Sequence, residues 1–278
     1  MTQRHIDTII PADSVIDDGD MRLWRALPLQ ERPSLGPFVF ADHYRHQSRR
    51  GIGDKPHPHA GIEVISYLLD GEVEHRDSLG FRDHLGPRDA QLIRAGRGML
   101  HAEQPGGGRH GLQLWTSLPP AMKFVDPAYT SFRAADIPEI ELPGAVVRVI
   151  AGTVNAVTGP MVTATPTVFA HVHLQAGARV ELEISARELG AYVLDGAIEG
   201  LGGKALRPGA LAVFGPGDRI TLTATPERPA DVAVLGGVPV EGALVFAGPF
   251  VMDTPEHAEQ ARRDFLSGKM GQLEGVPF

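Results

Sequence analysis

Tyr67-Leu68-Leu69-Asp70-Gly71-Glu72-Val73-Glu74 recurs 125 residues later as Tyr192-Val193-Leu194-Asp195-Gly196-Ala197-Ile198-Glu199. In both copies an apolar, β-favouring run meets Asp-Gly, the strongest short hairpin signal, and a second strand is expected to return from it. Further on, Leu85-Gly86-Pro87 to Ala95-Gly96 resembles Leu206-Arg207-Pro208 to Pro216-Gly217 at an offset of 121. Repetition on this scale implies two related β-domains in tandem. The expected extents are 1–135 for the first domain, 145–250 for the second and 251–278 for a C-terminal tail, with the boundary in the Pro- and Gly-containing region near 131–145.

Composition agrees with an all-β chain. Of 278 residues, 33 are Gly and 23 are Pro, most of them standing between short apolar runs, as turns between strands do. Only the end changes character. Thr254-Pro255-Glu256 reads as a helix start with Thr254 as N-cap, Ala258, Ala261, Phe265 and Leu266 give an apolar stripe, and Gly268 is the stop. The net charge of −8 offers no attraction to nucleic acid or to an anionic membrane. With no cysteine, disulfides, thiolate-bound zinc, iron–sulfur clusters and thiol nucleophiles are excluded. No segment approaches the roughly 18 apolar residues of a membrane span. The N-terminus lacks the apolar core of a secretory signal. A soluble, cytoplasmic protein is expected.

Two short stretches carry the chemistry: His57-Pro58-His59 and His101-Ala102-Glu103. Residues at i and i+2 of a strand point to the same face, so each pair converges. Two such strands side by side would present three imidazoles and a carboxylate to one borderline divalent metal ion. The repeat provides an internal control. By its offsets, His57 and His59 fall opposite Leu182 and Ile184, and His101 and Glu103 opposite Leu222 and Ala224. The second copy therefore replaces all four donors with apolar residues. Glu63 falls opposite Glu188, which marks it as a shared structural residue rather than a ligand.

Other polar groups read as ordinary structure. Arg45, Arg49, Arg50 and Lys55 form a solvated loop cluster. His43 is a core, surface or pocket-lining histidine. His75 and Asp77 are a structural pair beside the hairpin, and His171-Val172-His173 is a solvent-facing strand pair without further ligands. There is no nucleophile elbow and no phosphate-binding loop, and Gly96-x-Gly98 lacks the rest of a dinucleotide fingerprint.

His57-Pro58-His59-Ala60-Gly61-Ile62-Glu63, the run from Tyr67 to Gly80, Ala95 to Glu103, His110 to Trp115, and Gly248-Pro249-Phe250-Val251-Met252 together resemble the pirin family of the bicupin superfamily. The resemblance implies two antiparallel β-barrel domains of the jelly-roll or cupin type with a short C-terminal helix. It implies one metal, Fe(II) first and Zn, Mn, Ni or Cu as alternatives, held by the family's three histidines and one glutamate, which match His57, His59, His101 and Glu103. It further implies either a quercetin 2,3-dioxygenase acting on a small aromatic substrate and O2, with Glu103 as the base, or a metal-dependent regulator that binds a transcription factor or a metabolic enzyme. A monomer is expected. The chain departs from the family in the loop from Arg45 to Arg50 and in the Gly106-Gly107-Gly108 turn.

Overall fold

The computed structural model describes residues 2–49, 51 and 53–274. Among the described residues the chain is mostly β-structure, followed by one α-helix over Pro255–Leu266. It divides into two compact units that do not follow chain order. One unit comprises Met1–Val15, Trp24–His43 and Ala135–Pro239; the other comprises Ile16–Leu23, Tyr44–Ala134 and Val240–Phe278. The terminal segments are exchanged between the units. The physical reason is strand pairing. Ile6–Pro11 hydrogen-bonds antiparallel to Ala210–Phe214 in the later half. Ala60, in the earlier half, bridges to Phe250 of the tail.

The later unit is a cupin built on a seven-stranded sheet. Its order is Ile6–Pro11, Ala210–Phe214, Glu188–Asp195, Ala230–Gly237, Thr167–Leu174, Ala145–Ala151 and Glu139–Leu142. The separate pair Arg179–Glu183 and Arg219–Thr223 contributes Val180, Leu182, Ile220 and Leu222 to the same buried cluster. Alternation explains the layout: Arg179, Glu181 and Glu183 are exposed while Val180 and Leu182 between them are buried.

The earlier unit is the second cupin. Ile62–Asp77 lies between Ala90–Arg94 and Met99–Ser117, and the short strand His57–His59 pairs with the far side of Met99–Ser117. Ile62, Val64, Ile65, Tyr67 and Leu68 are all buried, as a strand covered on both faces requires. Among the described residues the strand paths of both sheets are open rather than closed barrels.

Asp70-Gly71 is not a hairpin turn. Ile62–Asp77 runs through it as one strand, and its register against Met99–Ser117 shifts at Leu68/Asp70 and again at Gly71/Val73. Gly71 has φ +87°, and a Cβ there would collide with the Gly108 carbonyl oxygen. The dipeptide supplies a positive φ, which a glycine bulge needs as much as a tight turn does. At Asp195-Gly196 the register also shifts, between Val193 and Asp195, and Gly196 has φ +72°, but there the strand ends at Asp195 instead of running through.

The helix starts as read: Thr254 Oγ1 accepts from the His257 amide at 3.1 Å, with Pro255 in the first turn. Ala258 and Ala261 are buried, and Phe265 packs against the same cluster with Ala60, Leu100 and Phe250. Leu266 is 55% exposed and so lies outside the stripe. Among the described residues no helix is long and apolar enough to cross a membrane.

Candidate metal centre

Strand register assembles the site. His57–His59 pairs antiparallel with Met99–Ser117 so that His57 stands directly opposite His101. Directly opposed residues share a face, and His59 is two positions along from His57, so three imidazoles meet. One ring nitrogen from each of His57, His59 and His101 lies within 4.8 Å of the others. Pro58, which has no N–H to give, is tolerated in a strand this short.

Hydrogen bonds fix which nitrogen of each ring faces inward. His57 Nδ1 lies 2.8 Å from the Lys55 carbonyl oxygen, and His59 Nδ1 lies 3.3 Å from that of Pro249. A carbonyl only accepts, so both rings carry their proton on Nδ1 and keep the Nε2 lone pair for the cluster. His59 Nε2 and both nitrogens of His101 are buried with no protein partner. Burial, reinforced by the neighbouring His57, pushes His59 down to about 3. Burial also holds His101 well below the ordinary imidazole range, helped by His57, His59 and His75. Both rings are therefore neutral at physiological pH. Three convergent imidazoles, two of them neutral with buried, unpartnered nitrogens, suit a divalent transition metal, and leaving those two bare in the interior is costly. Trp115 backs the site, its ring 4.9 Å from that of His59 and nearly perpendicular to it.

Glu103 stands beside this cluster rather than within the group of converging nitrogens. Its Oε1 is 3.9 Å from His101 Nδ1. That oxygen accepts from Ser66 Oγ at 2.9 Å and Gln91 Nε2 at 2.6 Å, while Oε2 accepts from Arg109 Nη1 at 3.3 Å. Arg109 also donates from Nε to His46 Nε2 at 3.1 Å and lies over the Tyr44 ring. Ser66, Gln91, Arg109 and His46 were not singled out in the sequence. Ser66 and Gln91 carried a signal: each is a polar residue inside an apolar strand run, and a buried polar group needs a partner.

The remaining histidines separate clearly. His75 is fully buried, stacks on Tyr129 with ring centroids 4.2 Å apart, and lies 3.1 Å from Asp77 Oδ2. Cross-strand pairing sets His75 opposite Glu103 and Asp77 opposite His101, so the pair adjoins the centre while remaining a hydrogen-bonded unit. His43 stacks on Trp24, with Nδ1 3.3 Å from the Tyr192 hydroxyl. His171 and His173 both bond to Asp231 Oδ1, at 3.0 and 2.9 Å. His171 is buried and only His173 faces solvent, a correction to the expected exposed pair. Glu63 accepts from Arg94 and Thr116, whereas Glu188 accepts from the Gly36 amide; both are structural. Arg45, Arg49 and Lys55 are exposed, and Arg50 lies outside the described residues.

Register also corrects the internal comparison. Leu182 pairs with Ile220 and Val180 with Leu222. If Leu182 corresponds to His57, then Ile220 rather than Leu222 corresponds to His101. Val180, Leu182, Ile184, Ile220, Leu222 and Ala224 are all buried in one apolar cluster, so the later unit offers no donor at these positions in either register.

The sequence profile of the pirin family matches residues 20–116, and that of the pirin C-terminal cupin domain matches 169–271. A pirin-like protein of Caulobacter vibrioides is 32% identical over 266 residues, covering 91% of each chain. Human pirin is 33% identical over 258 residues, covering 90% of this chain and 88% of its own. Among solved structures, a quercetin 2,3-dioxygenase of Acinetobacter baumannii superposes with a TM-score of 0.86 at 28% identity, covering 98% of this chain and 99% of its own.

Proposed function

The chain belongs to the pirin family, and on that premise we propose that it is a metal-dependent dioxygenase opening the ring of a flavonol such as quercetin. The observation that carries this reading is the convergence of His57, His59 and His101 within 4.8 Å, with buried nitrogens on His59 and His101 that no protein group satisfies. These residues would hold one divalent ion, Fe(II) being the leading candidate and Zn, Mn, Ni or Cu chemically compatible, with Glu103 at the edge of its coordination shell. When bound, the metal supplies a Lewis acid and a template that orients substrate and dioxygen.

The protein's own part is proton transfer and orientation. Glu103 is the base for the flavonol 3-hydroxyl. Ser66, Gln91 and Arg109 fix its carboxylate in place while it acts, and Arg109 supplies a positive charge beside the anionic form. The carbonyls of Lys55 and Pro249 keep the His57 and His59 lone pairs directed inward. The structural resemblance to the Acinetobacter dioxygenase supports the reading but does not select the substrate.

The test is anaerobic loading with Fe(II), then quercetin and air, following loss of the flavonol absorbance. Turnover that depends on iron supports the dioxygenase. No turnover at verified iron occupancy rejects it and moves the function to a metal-dependent regulator acting on a protein partner.

A further inference from the structure

Lys123 is 1% exposed, the most deeply buried ammonium group among the described residues. Burial pushes its pKa down to about 8, and the group is still protonated at neutral pH. Its three N–H protons are all used. Nζ donates to the Gly61 carbonyl at 2.8 Å, to Ser117 Oγ at 2.8 Å and to the Val251 carbonyl at 2.9 Å. A methionine of similar length would fill much of this space without the cost of burying a charge.

The acceptors lie at informative places. Gly61 follows His59 by two residues, and Val251 follows Pro249 by two. The Pro249 carbonyl is the group that holds the proton on His59 Nδ1. The two segments touch directly as well: the Val251 amide donates to the Ala60 carbonyl at 3.1 Å, and Ala60 bridges to Phe250. They approach so closely that a Cβ on Gly61, at φ +76°, would collide with the Val251 carbonyl oxygen. One ammonium thus ties the segment bearing an imidazole to the segment bearing the acceptor for that imidazole.

We propose that Lys123 is a positioning residue of the metal centre. By tethering Gly61 and Val251 it keeps the Pro249 carbonyl against His59 Nδ1 and so keeps the His59 Nε2 lone pair directed at the ion. The proposal rests on the reading of His57, His59 and His101 as metal ligands. Supporting partners of this kind typically change metal affinity about 10- to 100-fold.

The experiment uses the full chain with Co(II) as the probe, comparing wild type with Lys123→Met. Two quantities are read: Co(II) affinity by titration of the ligand-field absorption, and the His59 tautomer by imidazole nitrogen NMR of the metal-free protein. Thermal unfolding is measured separately. The expected result is a folded variant with Co(II) binding weakened at least about tenfold and a His59 signal no longer confined to the Nδ1–H form. If Lys123→Met does not fold, Lys123→Gln, which shortens the side chain by one atom and offers two N–H protons instead of three, is read by the same criteria. Lower thermal stability with wild-type affinity and tautomer would assign Lys123 to folding alone and overturn the proposal. Failure of the wild type itself to bind Co(II) would overturn the metal reading first, and the two failures are distinct.

Discussion

His59 Nδ1 lies 3.3 Å from the carbonyl oxygen of Pro249, 190 residues further along the chain. The ring's other nitrogen is buried, has no protein partner and faces His57 and His101. A side chain oriented from so far away makes the cluster of His57, His59 and His101 a product of tertiary structure, although these histidines are close in sequence.

His59→Ala and His101→Ala each delete one convergent lone pair. Bound metal after loading and dialysis, measured by elemental analysis, should fall at least about tenfold in each variant. Full metal content in both would reject the proposed coordination.

Arg109 is 2% exposed and faces the Glu103 carboxylate, which is 1% exposed. Arg109→Met removes the cation and leaves a buried carboxylate with only neutral donors. Loss of one partner from such a pair costs about 3–5 kcal/mol, which denaturant unfolding of the metal-free protein would reveal. A change below about 1 kcal/mol would mean that the two charges do not depend on each other.

Gly61→Ala places a methyl group against the Val251 carbonyl at a backbone angle that L-residues avoid. The positive φ alone costs about 1–2 kcal/mol, and the collision adds to it. A lower urea midpoint together with weaker metal binding is expected, because Gly61 adjoins the His59 segment. Wild-type behaviour in both would show that the tail can withdraw without consequence for the centre.

Asp231 receives both His171 and His173. Burial pushes its carboxyl upward, but the bonds and charges of the two histidines outweigh this and hold it at about 2, below the ordinary 3.8. A carboxylate depressed by folding stabilises the protein above about pH 3.8, and that contribution disappears as the pH falls towards about 2. Asp231→Asn should therefore show a smaller loss of stability than wild type between about pH 5 and pH 2.5 in urea unfolding. Identical acid profiles would remove Asp231 from the acid response.

Much of the centre was legible because strand periodicity is local information. Two i, i+2 pairs and one antiparallel register suffice to bring His57, His59 and His101 together, and the apolar counterparts Leu182, Ile184, Leu222 and Ala224 were visible as a contrast. The Asp-Gly pairs show the limit. A positive φ can end a strand or bulge it, and only the length of the partner, here Met99–Ser117, decides between them. The exchange of terminal segments was hidden for a similar reason, since Ile6–Pro11 reads as a strand whichever sheet it joins. Lys123 carries no signal in the sequence, because its partners are two backbone carbonyls and one hydroxyl, and backbone carbonyls leave no trace there.

The placement of the tail has a consequence for biosynthesis. The histidines leave the ribosome well before Pro249, which lies 190 residues beyond His59. Until Pro249 and the helix beyond it have emerged, His59 lacks its acceptor and Ala60 and Leu100 lack the apolar cover of Phe250 and Ala258. A polypeptide stopped short of Pro249 would hold all three imidazoles without the acceptor that orients His59 or the apolar cover over Ala60 and Leu100.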